Sequence, residues 1–102
     1  MTAELLRSFF AGVFLFNAIP HLTHGIAGKQ FQSPFAKPPG VGLSSALVNV
    51  LWGWTNIFIG LGLGFYNIDI FSNASATAAF ICGGLLVSLG LAWHFGKLYA
   101  QE

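Results

Sequence analysis

Three apolar stretches, at about residues 3–25, 45–66 and 74–97, are each long enough to cross a lipid bilayer as a helix. The first stretch, taken as helix at 1.5 Å per residue, reaches roughly 34 Å against a hydrocarbon core of about 30 Å. Backbone surrounded by hydrocarbon has no water to bond, so each stretch must close its own hydrogen bonds, and an α-helix does that. The predicted fold class is therefore all-α: a single transmembrane domain over residues 1–102, with three membrane-spanning helices in a bundle. A soluble alternative lacks the means to cover itself. Only 7% of the 102 residues are charged and 55% are hydrophobic, where an ordinary soluble domain carries about 25% charge. The formal net charge of +1 also excludes nucleic acid as a partner, because neutralising phosphates needs clustered Lys and Arg. The lipid bilayer is the expected surrounding.

A cleaved signal peptide is the competing reading of the first stretch. It is disfavoured because Asn17, Pro20, His21 and His24 follow the apolar core, where a small-residue cleavage site would stand. Between residues 26 and 42 the helical pattern stops, interrupted by Pro34, Pro38, Pro39, Gly28, Gly40 and Gly42. This loop is predicted to be ordered, with Phe31 and Phe35 docking at the membrane surface or in a groove. Ser44 or Ser45 can cap the second helix and Ser72 or Asn73 the third, across a short polar turn from Asn67 to Asn73. Asn73-Ala74-Ser75 matches a glycosylation sequon, and Cys82 reads as a small apolar residue with no intrachain partner.

Three spans place the termini on opposite sides of the membrane. Lys29, Lys37 and Lys97 then share one side and Arg7 lies near the other, so the positive-inside rule puts the first loop and the C-terminus in the cytoplasm and the N-terminus outside. Trp52, Trp54 and Trp93 fall in the same cytoplasmic half, as an aromatic belt would. Arg7 is expected to snorkel or to pair with Asp69.

The polar residues within the spans are arranged in lines. On the first helix Arg7, Phe10, Phe14, Asn17, His21 and His24 recur at alternating spacings of three and four, which is one helical face. On the second, Asn49, Gly53, Asn56, Gly60 and Gly64 form a stripe of small and amide side chains, and on the third Gly83, Val87, Gly90 and His94 do the same. Gly53, Gly60, Gly64, Gly83 and Gly90 are the predicted helix-packing positions, with Asn17, Asn49 and Asn56 as a polar bundle layer.

Counting along the helices places His21, Asn49 and His94 roughly 10 Å from the midplane on the same side, with His24 a turn nearer the headgroups. Besides a proton or substrate path through this layer, two readings of it stand. In one, His21, His24 and His94 converge as ligands of a metal ion or a haem, or as a redox cofactor site. In the other, the histidines and asparagines satisfy one another and the backbone carbonyl released by Pro20, fixing the register of the bundle. No Glu-x-x-His, His-Glu-x-x-His or Cys-rich motif accompanies the histidines. Catalytic residues are not expected: Glu4, Asp69 and Glu102 all fall near predicted membrane edges, leaving no paired carboxylates, and Ser88 is a lone serine within a span.

The opening Leu5-Leu6-Arg7, followed by Gly12, Phe14 and the polar end Asn17-Ala18-Ile19-Pro20-His21, resembles the first helix of DoxX-like small membrane proteins. The resemblance implies a helical-bundle membrane protein acting as an accessory to respiratory or redox complexes, and it implies no catalytic residues. Members of that family have four helices where this chain has room for three. In size the chain is also similar to the half-transporters that dimerise into a sugar pathway, with Pro20 as the shared feature; that likeness implies a small oligomeric transporter with Asn17, Asn49 and Asn56 along its path. Three helices are expected to enclose too little volume for a roomy pocket in a single copy. The sequence therefore favours a non-catalytic or accessory subunit of a membrane assembly, as a homo-oligomer or within a larger complex.

Overall fold

A computed structural model describes residues 2–100. In it α1 spans Ala3–Ile26, α2 Ala46–Phe65 and α3 Ala74–Tyr99, and a minimal antiparallel ladder pairs β1, Phe31–Gln32, with β2, Leu43–Ser44, inside the first loop. All three helices are long and apolar enough to cross a membrane. The starts of the helices are chemically marked. Thr2, Ser45 and Asn73 each accept a hydrogen bond from a first-turn backbone N–H, so each frees a helix N-terminus of one orphan donor. The side chain of Asn73, the sequon residue, is committed to this cap.

α1 is the shared helix. It packs against both α2 and α3, whereas α2 and α3 make almost no contact with each other. The α1–α2 contact is a knob-and-hole series running antiparallel. Leu22 sits over Gly53, where a Cβ would come within 2.6 Å of the leucine Cγ, and Leu15 sits over Gly60 in the same way at 2.5 Å. Ala11 meets Gly64, and Gly25 faces Val50 and Ala46. The buried residues of α2 are Asn49, Gly53, Asn56, Gly60 and Gly64, the stripe expected from the sequence.

Between α1 and α3 the backbones themselves touch. A Cβ on Gly12 would collide with the carbonyl oxygen of Phe80, and one on Gly83 with the carbonyl oxygen of Phe9, so the two parallel helices cross through reciprocal glycine contacts. Gly84 receives the ring of Phe16. In lipid no hydrophobic effect pulls helices together, so close backbone approach and the dispersion contacts it allows must do so.

Three expectations are corrected here. Gly90 is not a packing position within the chain, because a Cβ there would meet nothing within 4 Å. The buried seam of α1 is Ser8, Ala11, Gly12, Ala18, His21 and Gly25 rather than the line through Phe10 and Phe14, because a helix packed on two sides needs small residues on a broad face. Arg7 does not reach Asp69. Its Nε donates to the carbonyl of Leu63 at 3.1 Å and its Nη2 to the carbonyls of Gly62 and Tyr66, so the guanidinium closes the C-terminal end of α2, where the helix dipole is negative. Asp69 instead accepts from the backbone N–H of Phe71.

Gly83→Ala should separate α1 from α3, at a cost of about 1–3 kcal/mol as an overpacked contact, whereas Gly90→Ala should be neutral or stabilising by about 0.5–1 kcal/mol as a helical glycine replaced. Reversible unfolding of both variants in mixed detergent micelles measures the difference, and equal effects would contradict the crossing described here.

Candidate functional site

The loop between α1 and α2 folds back over the end of the bundle and is fastened by all three helices. At its centre is Asn49, fully buried near the start of α2. Its Nδ2 donates to the carbonyls of Phe31 at 3.1 Å, Ser44 at 3.2 Å and Ser45 at 3.0 Å, and its Oδ1 lies 2.8 Å from Nδ1 of His21 on α1. The three carbonyls fix which end of the amide is the donor, so Oδ1 accepts and His21 must carry its hydrogen on Nδ1. In its neutral form His21 then has a lone pair on Nε2.

The same logic assigns the other two imidazoles. His24 Nδ1 donates to the Pro20 carbonyl at 2.7 Å, and the ring stacks on Phe31 with centroids 4.1 Å apart. His94 Nε2 donates to the Gly40 carbonyl at 2.7 Å, leaving Nδ1 as the acceptor. Gly40 has φ 73°, a left-handed conformation that glycine adopts without steric cost, at the residue whose carbonyl meets α3. Near the end of α3 the Tyr99 hydroxyl donates to Gln32 Oε1 at 2.6 Å, and within the loop the Ser33 and Ser44 hydroxyls share a bond of 2.5 Å. Phe31 is the plug of this cap, 3% exposed and packed against His21, His24 and Phe95. Phe35 lies edge-on against Trp52 but stays exposed.

Because α2 and α3 diverge, the cap roofs a cavity of about 340 Å³. Asn17 and His21 form its floor on α1, Trp52 one wall on α2, and Leu91, His94 and Phe95 the opposite wall on α3. Gln32, Ser33, Pro34, Pro39 and Gly40 complete it from the loop. One copy thus forms a recess, open on one side, to which the loop adds a wall beside the three helices.

The residues singled out by sequence separate into groups. His21 and His94 share the cavity; His24 does not line it. Among the described residues no group of three or more His, Cys, Asp or Glu is placed to hold a metal ion. His21, His24 and His94 are therefore not gathered as a ligand set, and each spends one ring nitrogen on a carbonyl or amide oxygen of the chain. Asn17 Nδ2 donates to Asn56 Oδ1 at 3.0 Å, and Asn56 Nδ2 to the Trp52 carbonyl at 2.8 Å, so these two join α1 to α2, while Asn49 belongs to a separate set with His21 and the loop. Asn49 and Asn56 are buried at the helix interface and line no path; Asn17 alone of the three reaches the cavity.

Sequence reasoning missed Trp52, Gln32, Ser33, Phe95 and Tyr99 as members of the site. A signal existed for Gln32, a polar residue wedged beside Phe31 in a proline-rich segment, and for Phe95 and Tyr99, one turn apart at the loop end of α3. Trp54 and Trp93 are exposed, whereas Trp52, expected with them in an aromatic belt, is half-buried. Trp52 Nε1 is the buried side-chain nitrogen or oxygen among the described residues that has no hydrogen-bond partner. Cys82 lies exposed on α3. No protein-family model, curated protein or solved structure matches the chain.

Asn49→Leu should strand the Phe31 and Ser44 carbonyls and the His21 N–H, at about 1–3 kcal/mol for each group left without a partner. Limited proteolysis at Lys29 should become faster in this variant while the helical signal persists; an unchanged cleavage rate would show that Asn49 does not hold the loop.

Proposed function

We propose that this chain is a non-catalytic subunit of a membrane assembly, whose rigid cap is the face presented to a partner at the cytoplasmic surface. The observation that carries the reading is how the polar groups are used. His21, His94, Asn49 and Tyr99 hold the loop in one conformation from three helices, leaving Phe35, Val41, Lys29 and Lys37 exposed on its outer surface. An interaction surface gains from such preorganisation, because the ordering cost is met before a partner arrives. Glu4 and Asp69 lie at the helix ends away from the cap, so the chemistry near the cavity is uncharged. The resemblance of α1 to DoxX-like proteins points the same way. Lys29 and Lys37 in the loop and Lys97 in the last turn of α3 share one end of the bundle, which under the positive-inside rule is the cytoplasmic end, with the N-terminus outside.

His21 and His94 meeting in one cavity favours a second reading, a histidine-based metal or haem site. A small oligomeric transporter is the third, and it has only Asn17 in its support.

Extracted from its own membranes in mild detergent, the protein should run as a complex several times its 10.9 kDa, and His21→Ala should lower the assembled fraction. A tag on the C-terminus should be protected in intact cells. A monomeric extract would sink the subunit reading. A stoichiometric metal or a haem absorption band that disappears in His94→Ala would transfer the weight to the second one.

A further inference from the structure

The cavity under the cap has a hydrogen-bonding character of its own. None of its lining residues is Lys, Arg, Asp or Glu, so nothing there is built to neutralise a charged ligand. Three acceptors are left over once the internal bonds are assigned. These are Nε2 of neutral His21, Nδ1 of neutral His94, and Oδ1 of Asn17, whose amide nitrogen is given to Asn56. Trp52 contributes to the facing wall; its indole N–H is buried without a partner and is not itself exposed to the cavity. Buried polar groups in a native structure are normally satisfied, and in hydrocarbon there is no bulk water to do it.

The cavity is incompletely enclosed, and its open side follows from the fold. α2 and α3 hardly touch, so the fold leaves a gap between them on that side of the bundle. A volume of about 340 Å³, against about 30 Å³ per water in the liquid, takes a ring or a glyceryl group and leaves a long tail outside.

We propose that this cavity binds the hydroxyl head of an uncharged, lipid-soluble alcohol or phenol that enters sideways from the bilayer between α2 and α3. A hydroxyl donates to the free imidazole nitrogen of His21 or His94 without bringing a charge that the lining has no group to neutralise. The ligand's apolar remainder stays among the lipid tails. The site does not depend on which partner the cap meets.

The test follows the Trp52 indole. Trp54 and Trp93 are exposed on the lipid-facing surface, so Trp54→Phe and Trp93→Phe leave a single indole ¹⁵N–¹H resonance in protein held in lipid nanodiscs. Four probes are titrated: a short-chain hydroquinone kept reduced, 1,2-dioctanoylglycerol, and their fully O-methylated forms, the hydroquinone dimethyl ether and the glyceride methyl ether. One hydroxyl probe should shift the resonance to saturation as it fills the space beside the Trp52 ring, and bind at least tenfold more tightly than its ether, which cannot donate to an imidazole. Saturation by the hydroquinone identifies a phenol; saturation by the glyceride identifies an aliphatic alcohol. Leu91→Phe fills the cavity without touching a hydrogen bond of the cap, and it should abolish the shift while the loop amide resonances stay in place. Failure of both hydroxyl probes to saturate, ethers that bind as well as their parents, or undiminished binding in a folded Leu91→Phe protein would each overturn the proposal. The comparison of hydroxyl with ether needs no cavity variant, so the outcome does not hang on how Leu91→Phe folds.

Discussion

Everything at the loop end of this bundle depends on Asn49. A carboxamide with no exposed surface, in a segment surrounded by hydrocarbon, must find all its partners within the chain or destabilise the fold. It finds them in the loop on one side and in His21 on the other, and thereby joins α2, the cap and α1 at one point. The tautomer of His21 follows from that junction, and with it the lone pair turned over to the cavity. At the opposite end Arg7 has the comparable task, gathering the last carbonyls of α2. The hairpin of α1 and α2 is thus closed by one polar fastening at each end, with leucine-over-glycine packing between them.

α3 is attached differently. Its contact with α1 is made largely by backbone against backbone where Gly12 and Gly83 cross, and by His94 and Tyr99 reaching back to the loop. Glycines permit this contact because dispersion falls off steeply with distance, so helices gain most when no Cβ holds them apart. With α2 and α3 both leaning on α1 and not on each other, the bundle is a layer folded about its first helix. The cavity lies in the angle of that fold.

Helix number and approximate limits could be read from the sequence because lipid imposes a length and an apolar composition, and both are local properties. The α2 stripe was legible for the same kind of reason: Asn49, Gly53, Asn56, Gly60 and Gly64 are the small and polar members of an otherwise bulky helix, and one helix faces them. α1 was harder. Its line of polar residues was visible, but a helix with two neighbours buries a wider face, and Ala11, Ala18 and Gly25 carry no pattern that distinguishes that arrangement. The partners of the histidines were not legible at all. Their acceptors at Pro20 and Gly40 are backbone carbonyls, which every residue possesses, so residue type cannot announce them. That the loop would be ordered was readable from its prolines and phenylalanines; that it would serve as a cavity wall required its path in space.

The division of labour among the helices also sets an order of completion during synthesis. A chain emerging from its N-terminus makes α1, the loop and α2 first, and these already hold the Asn49 junction, the Arg7 closure and the glycine seam between them. The Trp52 wall and the His21 floor therefore exist before the cavity does. It becomes a chamber only when α3 docks and brings His94 to Gly40. A ribosome that stopped short of α3 would leave a formed hairpin with one side of its polar cleft bare to lipid, a state that membrane quality control could recognise by that defect alone.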